Sequence, residues 1–209
     1  AANQEKAEFI RSEKISTQPL NIEKIETPET TTIDQLTNFL KIHKNDTAKA
    51  VLYMAIPRNE DKPFPIFAVI RGDLEINEVK LMNLIDAREL TPMTDEHLSQ
   101  YDVIPGYASP IGISSEIRVI ADISITETEN LVAGANEVGY HFINTNYSRD
   151  WTATDIADIA TADEGYICAK CIGEEKGNLR SARGIEMGHV FRLGKTYTSY
   201  FDTTVLDQF

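Results

Sequence analysis

Ala48-Lys49-Ala50-Val51-Leu52-Tyr53-Met54-Ala55 and Phe64-Pro65-Ile66-Phe67-Ala68-Val69-Ile70 are two β-rich runs, apolar throughout except at Lys49. The polar stretch Arg58 to Lys62 separates them, so they read as an antiparallel pair in a buried sheet. Upstream, Thr27-Pro28 forces an extended residue before the proline, and Thr32 followed by Gln35 is a capping-box signature. The helix that follows is expected to place Ile33, Leu36, Phe39 and Leu40 on one face and to end at Asn45-Asp46. Downstream, Ile76, Val79, Leu84 and Ile85 recur at helical spacing, and Thr94 is placed to cap a short helix through Gln100. A loop punctuated by glycine and proline, Ile104 to Gly112, precedes a strand-like run, Ile117 to Ile123. A further strand alternates through Tyr140, Phe142, Asn144 and Asn146. Strand and helix alternate without a repeat, which defines an α/β (α+β) domain with a mixed, largely antiparallel sheet and surrounding helices.

The chain has 209 residues, 42% of them hydrophobic, enough for a packed core in one large domain or two small ones. Its net charge of −13 repels phosphodiester backbones and excludes a protein that coats nucleic acid generally. No apolar run approaches the ~20 residues of a membrane span, and residues 1–11 lack the layout of a signal peptide, so a cytoplasmic protein without membrane partners is expected. Residues 1–20 carry mixed charge and scattered apolar positions and read as a fraying lead-in, with folding expected to start near Ile22. Basic residues concentrate from Lys176 to Lys195, and this shift in composition places a boundary near Gly177.

The chemistry-bearing residues are sparse. Cys168 and Cys171 are the whole cysteine complement, which excludes a disulfide framework and a four-thiolate zinc site. His43, His97, His141 and His189 stand at no ligand spacing, so no metal is expected. Arg71-Gly72-Asp73 matches an adhesion tripeptide but follows directly on a buried-looking strand. There is no nucleophile elbow, metalloprotease helix or phosphate-binding glycine loop, hence no side-chain nucleophile. Lys49 inside an apolar strand either snorkels to solvent or meets an anionic ligand in a cleft. Asp122 interrupts the Ile117–Ile123 run in the same way and either pairs with a neighbouring donor or serves a pocket. His141, between Tyr140 and Phe142, reads as a satisfied core histidine or a functional one, and Thr27 as a turn hydroxyl or a ligand contact.

Longer strings carry a more specific signal. Arg71-Gly72-Asp73-Leu74-Glu75-Ile76-Asn77-Glu78-Val79-Lys80, Gly134-Ala135-Asn136, Gly139-Tyr140-His141, Asn146-Tyr147-Ser148-Arg149-Asp150 and Arg183-Gly184-Ile185-Glu186-Met187-Gly188-His189 resemble bacterial prolyl-tRNA synthetase, in order and over nearly the whole chain. The resemblance implies that 21–177 is the insertion domain, similar in fold to the aminoacyl-tRNA deacylase and editing domains, with 1–20 and 178–209 flanks from the class II catalytic core. The class II signature motifs are missing from the sequence, so aminoacylation is not expected of it; ATP and Mg belong to the intact synthetase, and no cofactor is expected here. The implied activity is hydrolysis of alanine wrongly esterified to tRNA(Pro), because a proline site excludes a smaller amino acid by only about 1–3 kcal/mol per missing methylene. Residue by residue, the resemblance puts Lys49 on the terminal nucleotide of the tRNA, Asp122 in the pocket, Thr27 beside the substrate and His141 as the size selector. The Gly106 to Pro110 loop falls where backbone N–H groups would steady the developing oxyanion. Lys49 and Asp122 are thus the expected catalytic residues, with Thr27, His141, Gly106 and Pro110 binding substrate. The implied partners are the tRNA acceptor end and the rest of a homodimeric synthetase. Two rivals remain: a non-catalytic module that docks the acceptor end or supports the synthetase core, and a metal- or redox-linked regulator built on Cys168 and Cys171.

Overall fold

The computed structural model describes residues 3, 5–11, 18–171, 177–184, 188, 194–201 and 204. In chain order the elements are β1 (Phe9–Ile10), β2 (Glu23–Glu26), α1 (Ile33–Leu40), a 3-10 turn (Lys44–Asp46), β3 (Ala48–Pro57), β4 (Phe64–Arg71), α2 (Glu78–Ile85), β5 (Ala87–Pro92) and α3 (Asp95–Gln100). They continue with β6 (Arg118–Asp122), α4 (Ile123–Thr126), β7 (Leu131–Gly134), β8 (Tyr140–Thr145), β9 (Asp155–Ala157), β10 (Ile167–Cys168) and α5 (Thr196–Tyr200). The chain divides into two compact units, 1–179 and 180–209. Among the described residues, the second unit contains α5 alone as regular structure, and Glu186, His189, Lys176 and Arg192 lie outside the described residues.

The first unit is built on the two runs quoted above. β3 and β4 pair antiparallel with Lys49 opposite Ile70 and Ala55 opposite Phe64. They sit in a five-stranded sheet of order β5-β3-β4-β6-β9, in which β4, β6 and β9 run parallel. Period-two alternation sends β4 side chains to two cores. Ile66 and Ala68 face a cluster with Leu81 and Ile85 of α2 and Ile120 and Ile159. Phe67 and Val69 face the other, with Val119, Ile125, Leu131 and Trp151. Both faces of β4 are therefore covered, which is why its sequence reads as a continuous apolar run rather than an alternating one. The connection from β6 to β9 carries β7 and β8, which with β2 form a second sheet of order β2-β8-β7, antiparallel throughout.

Local signals and local structure agree at the caps. The Thr32 hydroxyl accepts from the Gln35 N–H while the Gln35 side chain accepts from the Thr32 N–H, closing the expected capping box; Thr94 caps α3 with the His97 side chain in the reciprocal role. α1 differs from expectation in two respects. It stops at a left-handed Lys41 rather than at Asn45-Asp46, which belong to the 3-10 turn, and Phe39 is exposed while Leu36 and Thr37 are buried. The inward stripe is 33, 36, 37 and 40, and position 39 falls outside it. Asp122 does not interrupt a strand but ends one: Ile123 opens α4, and the Asp122 carboxylate caps it by accepting from the Ser124 N–H at 2.8 Å. The lead-in before Ile22 is packed at its described residues. Phe9 is buried against Ile70, Leu74 and Ala160, and β1 pairs with β10. Its mixed charge concealed one apolar anchor, Phe9, and one part-buried cation, Arg11.

Candidate active site

A cavity of about 370 Å³ opens where the start of β3, the N-terminal end of α1, the loop from Gly106 and strand β8 meet. This lies within the size range of small-molecule sites. Lys49, His141, Gly106 and Ala108 all line it, together with Lys44 and Glu75 near the sheet edge.

Lys49 is the second residue of β3, and its side chain is only 18% exposed. Two features reconcile an ammonium with this position. The strand end gives onto the cavity, and the Glu75 carboxylate meets the Lys49 Nζ at 2.7 Å. Glu75 is set by the loop between β4 and α2, whose conformation is specified at four points. Arg71, 2% exposed, forms a fork to Asp73 at 2.6 and 3.0 Å. The Leu74 side chain is buried, and Asn77 caps α2 by accepting from the Val79 and Lys80 N–H groups. The Glu75 carbonyl accepts from the Thr161 N–H at 2.7 Å. Arg71-Gly72-Asp73 is thus a closed structural clip and not a displayed adhesion loop. Gly72 is obligatory in it, since a Cβ there would lie 2.0 Å from the Thr47 hydroxyl oxygen.

His141 is held on β8, paired with Ile25 of β2 and Gly134 of β7. Its Nδ1 lies 2.6 Å from the Thr27 hydroxyl, and the Tyr107 ring packs 5.3 Å away between centroids. Thr27 is fully buried, and its hydroxyl has no other acceptor among the described residues. The hydroxyl therefore donates to Nδ1, which leaves the ring hydrogen on Nε2. Burial pushes the imidazole pKa down to about 4, so the ring is neutral at physiological pH. Thr27 itself does not line the cavity; it acts on it through His141.

The Gly106–Pro110 loop is braced from below. Asn136 accepts from the Ser109 N–H at 2.7 Å and donates to the Ile111 and Ser109 carbonyls, while its own N–H donates to the Tyr107 carbonyl. Gly134 passes so close that a Cβ would lie 2.2 Å from the Tyr107 oxygen and 2.4 Å from the Ala108 oxygen. Gly106 adopts φ +77° and is pressed against Thr31, a conformation natural to glycine. Within this loop the Tyr107 and Ser109 N–H groups are used internally and Pro110 has none. The N–H groups of Gly106 and Ala108, both cavity-lining residues, have no acceptor among the described residues. Pro110 is buried and does not line the cavity.

Asp122 is not brought to this cavity. It is fully buried, accepts from Arg11 Nε and Nη2 at 3.2 and 3.0 Å and from the Ser124 and Ile159 N–H groups, and has no exposed oxygen to offer a ligand. Arg11 also reaches Asp158 at 2.7 Å, and Lys80 reaches Asp158 at 2.9 Å. Burial pushes the Asp158 carboxyl up, but Lys80 and Arg11 outweigh it and hold it below its ordinary value. Cys168 is half-buried and Cys171 exposed, and no cluster of three or more metal-ligating side chains occurs among the described residues.

Sequence reasoning gave no role to Glu75, Lys44, Arg11 or Asn136. Glu75 and Asn136 lay inside the quoted strings, yet nothing in their spacing indicated what they touch. Arg11 pairs across 111 residues, beyond the reach of any local pattern.

The cavity is lined by a half-buried lysine, a neutral histidine and two residues whose backbone N–H groups have no acceptor among the described residues. A mixed α/β domain with a cavity of this size and lining has the form of a small-ligand domain. A family model described as the aminoacyl-tRNA editing domain matches residues 27–150, and the chain belongs to that family. The chain is 41% identical over its whole length to a proline–tRNA ligase of Halothermothrix orenii and 40% identical over 99% of its length to that of Salinispora tropica. It spans about a third of those relatives, 35% and 34%. Among solved structures it is similar to hypothetical protein APE2540, with TM-score 0.55 and 13% identity, over 68% of this chain and 92% of that one. It is also similar to a proposed trans-editing enzyme for prolyl tRNA synthetase, with TM-score 0.50 and 14% identity, over 59% and 76%. These two likenesses establish the fold. No described helix is long and apolar enough to cross a membrane.

Proposed function

We propose that this chain is the editing unit of a prolyl-tRNA synthetase and hydrolyses the ester of alanyl-tRNA(Pro), with the cavity at Lys49 and His141 as a second sieve closed to the prolyl group. The observation that carries the reading is the convergence on one cavity of a cation, a neutral selector and unengaged N–H donors. The Lys49 ammonium engages the phosphate of the terminal adenosine. Water attacks the ester carbonyl, the charge that develops on its oxygen is met by the Gly106 and Ala108 N–H groups, and collapse expels the ribose oxygen and frees alanine. One such donor typically contributes about 10²–10³ in rate. Of the basic side chains lining the cavity, the Asp34 and Glu75 carboxylates are tied up in ion pairs with Lys44 and Lys49, and His141 is a weak base at a pKa of about 4. The neighbouring ribose hydroxyl therefore orients the water and relays its proton, accepting it while passing its own to the leaving ribose oxygen, so that alanine and the free ribose diol result and the reaction is substrate-assisted. His141, fixed by Thr27 and Tyr107, sets the size limit. Asp122 and Pro110 serve the frame: Asp122 ties β6 and α4 to Arg11, and Pro110 ends the loop. The acceptor end of tRNA(Pro) is the partner, the remaining synthetase supplies ATP, Mg and the dimer, and the setting is the cytoplasm.

The test is release of alanine from alanyl-tRNA(Pro) by the chain and by Lys49→Ala. Wild type is expected to release alanine catalytically, with Lys49→Ala slower by about 10–100-fold, the worth of one charged hydrogen bond. Protection of the ester without turnover would instead identify a docking module.

A further inference from the structure

The rim of the cavity carries charges of alternating sign. Asp34 holds Lys44 at 2.7 Å, and Glu75 holds Lys49 at 2.7 Å. All four residues line the cavity. The Lys44 ammonium is held above its ordinary pKa chiefly by Asp34, with Glu75 adding to it. Glu75 thus pairs with Lys49 and lies within electrostatic reach of Lys44. Its side chain is 79% exposed, so leaving Lys49 for water costs it little desolvation, whereas Lys49 at 18% cannot do without an anionic partner. The backbone at Glu75 is pinned by the Arg71–Asp73 clip and the Thr161 N–H, which keeps the base of the side chain within reach of Lys49 while the carboxylate itself stays free to turn.

Resting on the reading of Lys49 as the phosphate contact, we infer that Glu75 is an internal surrogate for the substrate's phosphate, a carboxylate gate that neutralises Lys49 in the empty cavity and must be displaced when the nucleotide enters. The gate has two consequences. An anion with no further contact in the cavity, such as inorganic phosphate, competes poorly with a carboxylate already tethered at high effective concentration. An aminoacylated nucleotide, with its adenosine and its amino acid also engaged, can displace Glu75, and the returning carboxylate then helps to expel the product nucleotide.

The gate predicts an effect of unusual sign. Binding of 3′-alanylamido-3′-deoxyadenosine 5′-monophosphate, a non-hydrolysable probe, is measured on the full chain by calorimetry. Glu75→Gln is expected to tighten it by about three- to tenfold, since the competing ion pair and the repulsion of the incoming phosphate are both removed. Lys49→Ala is expected to weaken binding, and Glu75→Gln added to Lys49→Ala is expected to give no gain. Glu116→Gln, an exposed carboxylate outside the cavity, controls for the lower overall negative charge and should leave affinity unchanged. A structural role for Glu75 would not improve binding, so tightening that depends on Lys49 supports the gate. Unchanged or weaker binding in Glu75→Gln, or an equal gain in Glu116→Gln, overturns the gate while Lys49→Ala still reports on the reading beneath it. If Lys49→Ala alters neither probe binding nor deacylation, both the gate and that reading fail.

Discussion

Replacing Asp122 by asparagine separates a frame role from a chemical one. The native carboxylate is fully buried and accepts four hydrogen bonds, two from Arg11 and one each from the Ser124 and Ile159 N–H groups. Asparagine keeps the volume but turns one acceptor into an NH2 that faces donors, and it removes the charge opposite Arg11. Breaking a buried pair from one side costs about 3–5 kcal/mol, and each buried donor left without an acceptor about 1–3 kcal/mol. Arg11 retains Asp158, which limits the loss, so the sum expected for Asp122→Asn is about 3–5 kcal/mol. That is a large share of the stability of a domain of this size. Urea unfolding followed by circular dichroism measures it, and deacylation of alanyl-tRNA(Pro) is assayed below the onset of the transition. The midpoint should fall steeply while the folded fraction keeps a rate within a fewfold of wild type. A variant with wild-type stability and a rate lowered a hundredfold or more would place Asp122 in the chemistry and refute the frame role.

Other consequences follow from the same geometry. His141 has its pKa lowered from 6.5 to about 4 in the folded state, so the unfolded chain binds more protons between those values. Its contribution is complete above pH 6.5 and is lost as pH falls towards 4, by up to about 3 kcal/mol; pH-dependent unfolding of His141→Ala should lack that part of the slope. Asp158, with its pKa depressed, contributes stability that is present above the ordinary carboxylate range and lost as pH falls through its own lower value, a loss that Lys80→Met should reduce in acid titration. Thr27→Val removes the hydroxyl partner of His141 Nδ1 and should cost about 1–3 kcal/mol in unfolding experiments, with selectivity against prolyl-tRNA relaxed because the ring is no longer fixed. Gly134→Ala drives a methyl against the Tyr107 and Ala108 carbonyls and should lower the rate of deacylation more than Gly139→Ala, where a Cβ meets nothing, although φ there is +81°.

The elements that were legible in the sequence carry a local signal: a continuous apolar run, a period-two alternation as in β8, or a strong helix cap. β3 and β4 announced themselves through continuous apolar runs, and α1 and α3 through threonine caps, because these signals are local. β5, of sequence Ala87-Arg88-Glu89-Leu90-Thr91-Pro92, is an edge strand with mostly exposed side chains, and nothing in its composition marks it as a strand until β3 is there to pair with it. β9 spans three residues and depends in the same way on β6. In the site, Lys49 was visible as a charge in an apolar run and His141 as a polar break between aromatics. Asp122 gave the same kind of signal with a different outcome, because its partner Arg11 comes from a segment whose own composition suggested no packing. A charge in a strand reports that something opposite must exist; only the tertiary structure says whether that something is a ligand or another side chain.

The most direct test is a crystal structure of the chain with 3′-alanylamido-3′-deoxyadenosine 5′-monophosphate. The phosphate is expected on Lys49 with Glu75 turned away, the alanyl methyl against His141, and the carbonyl oxygen about 3 Å from the Gly106 or Ala108 N–H. An adenosine seated elsewhere on the molecule, or a carbonyl facing away from that loop, would contradict the assignment of this cavity as the place where the ester is cleaved.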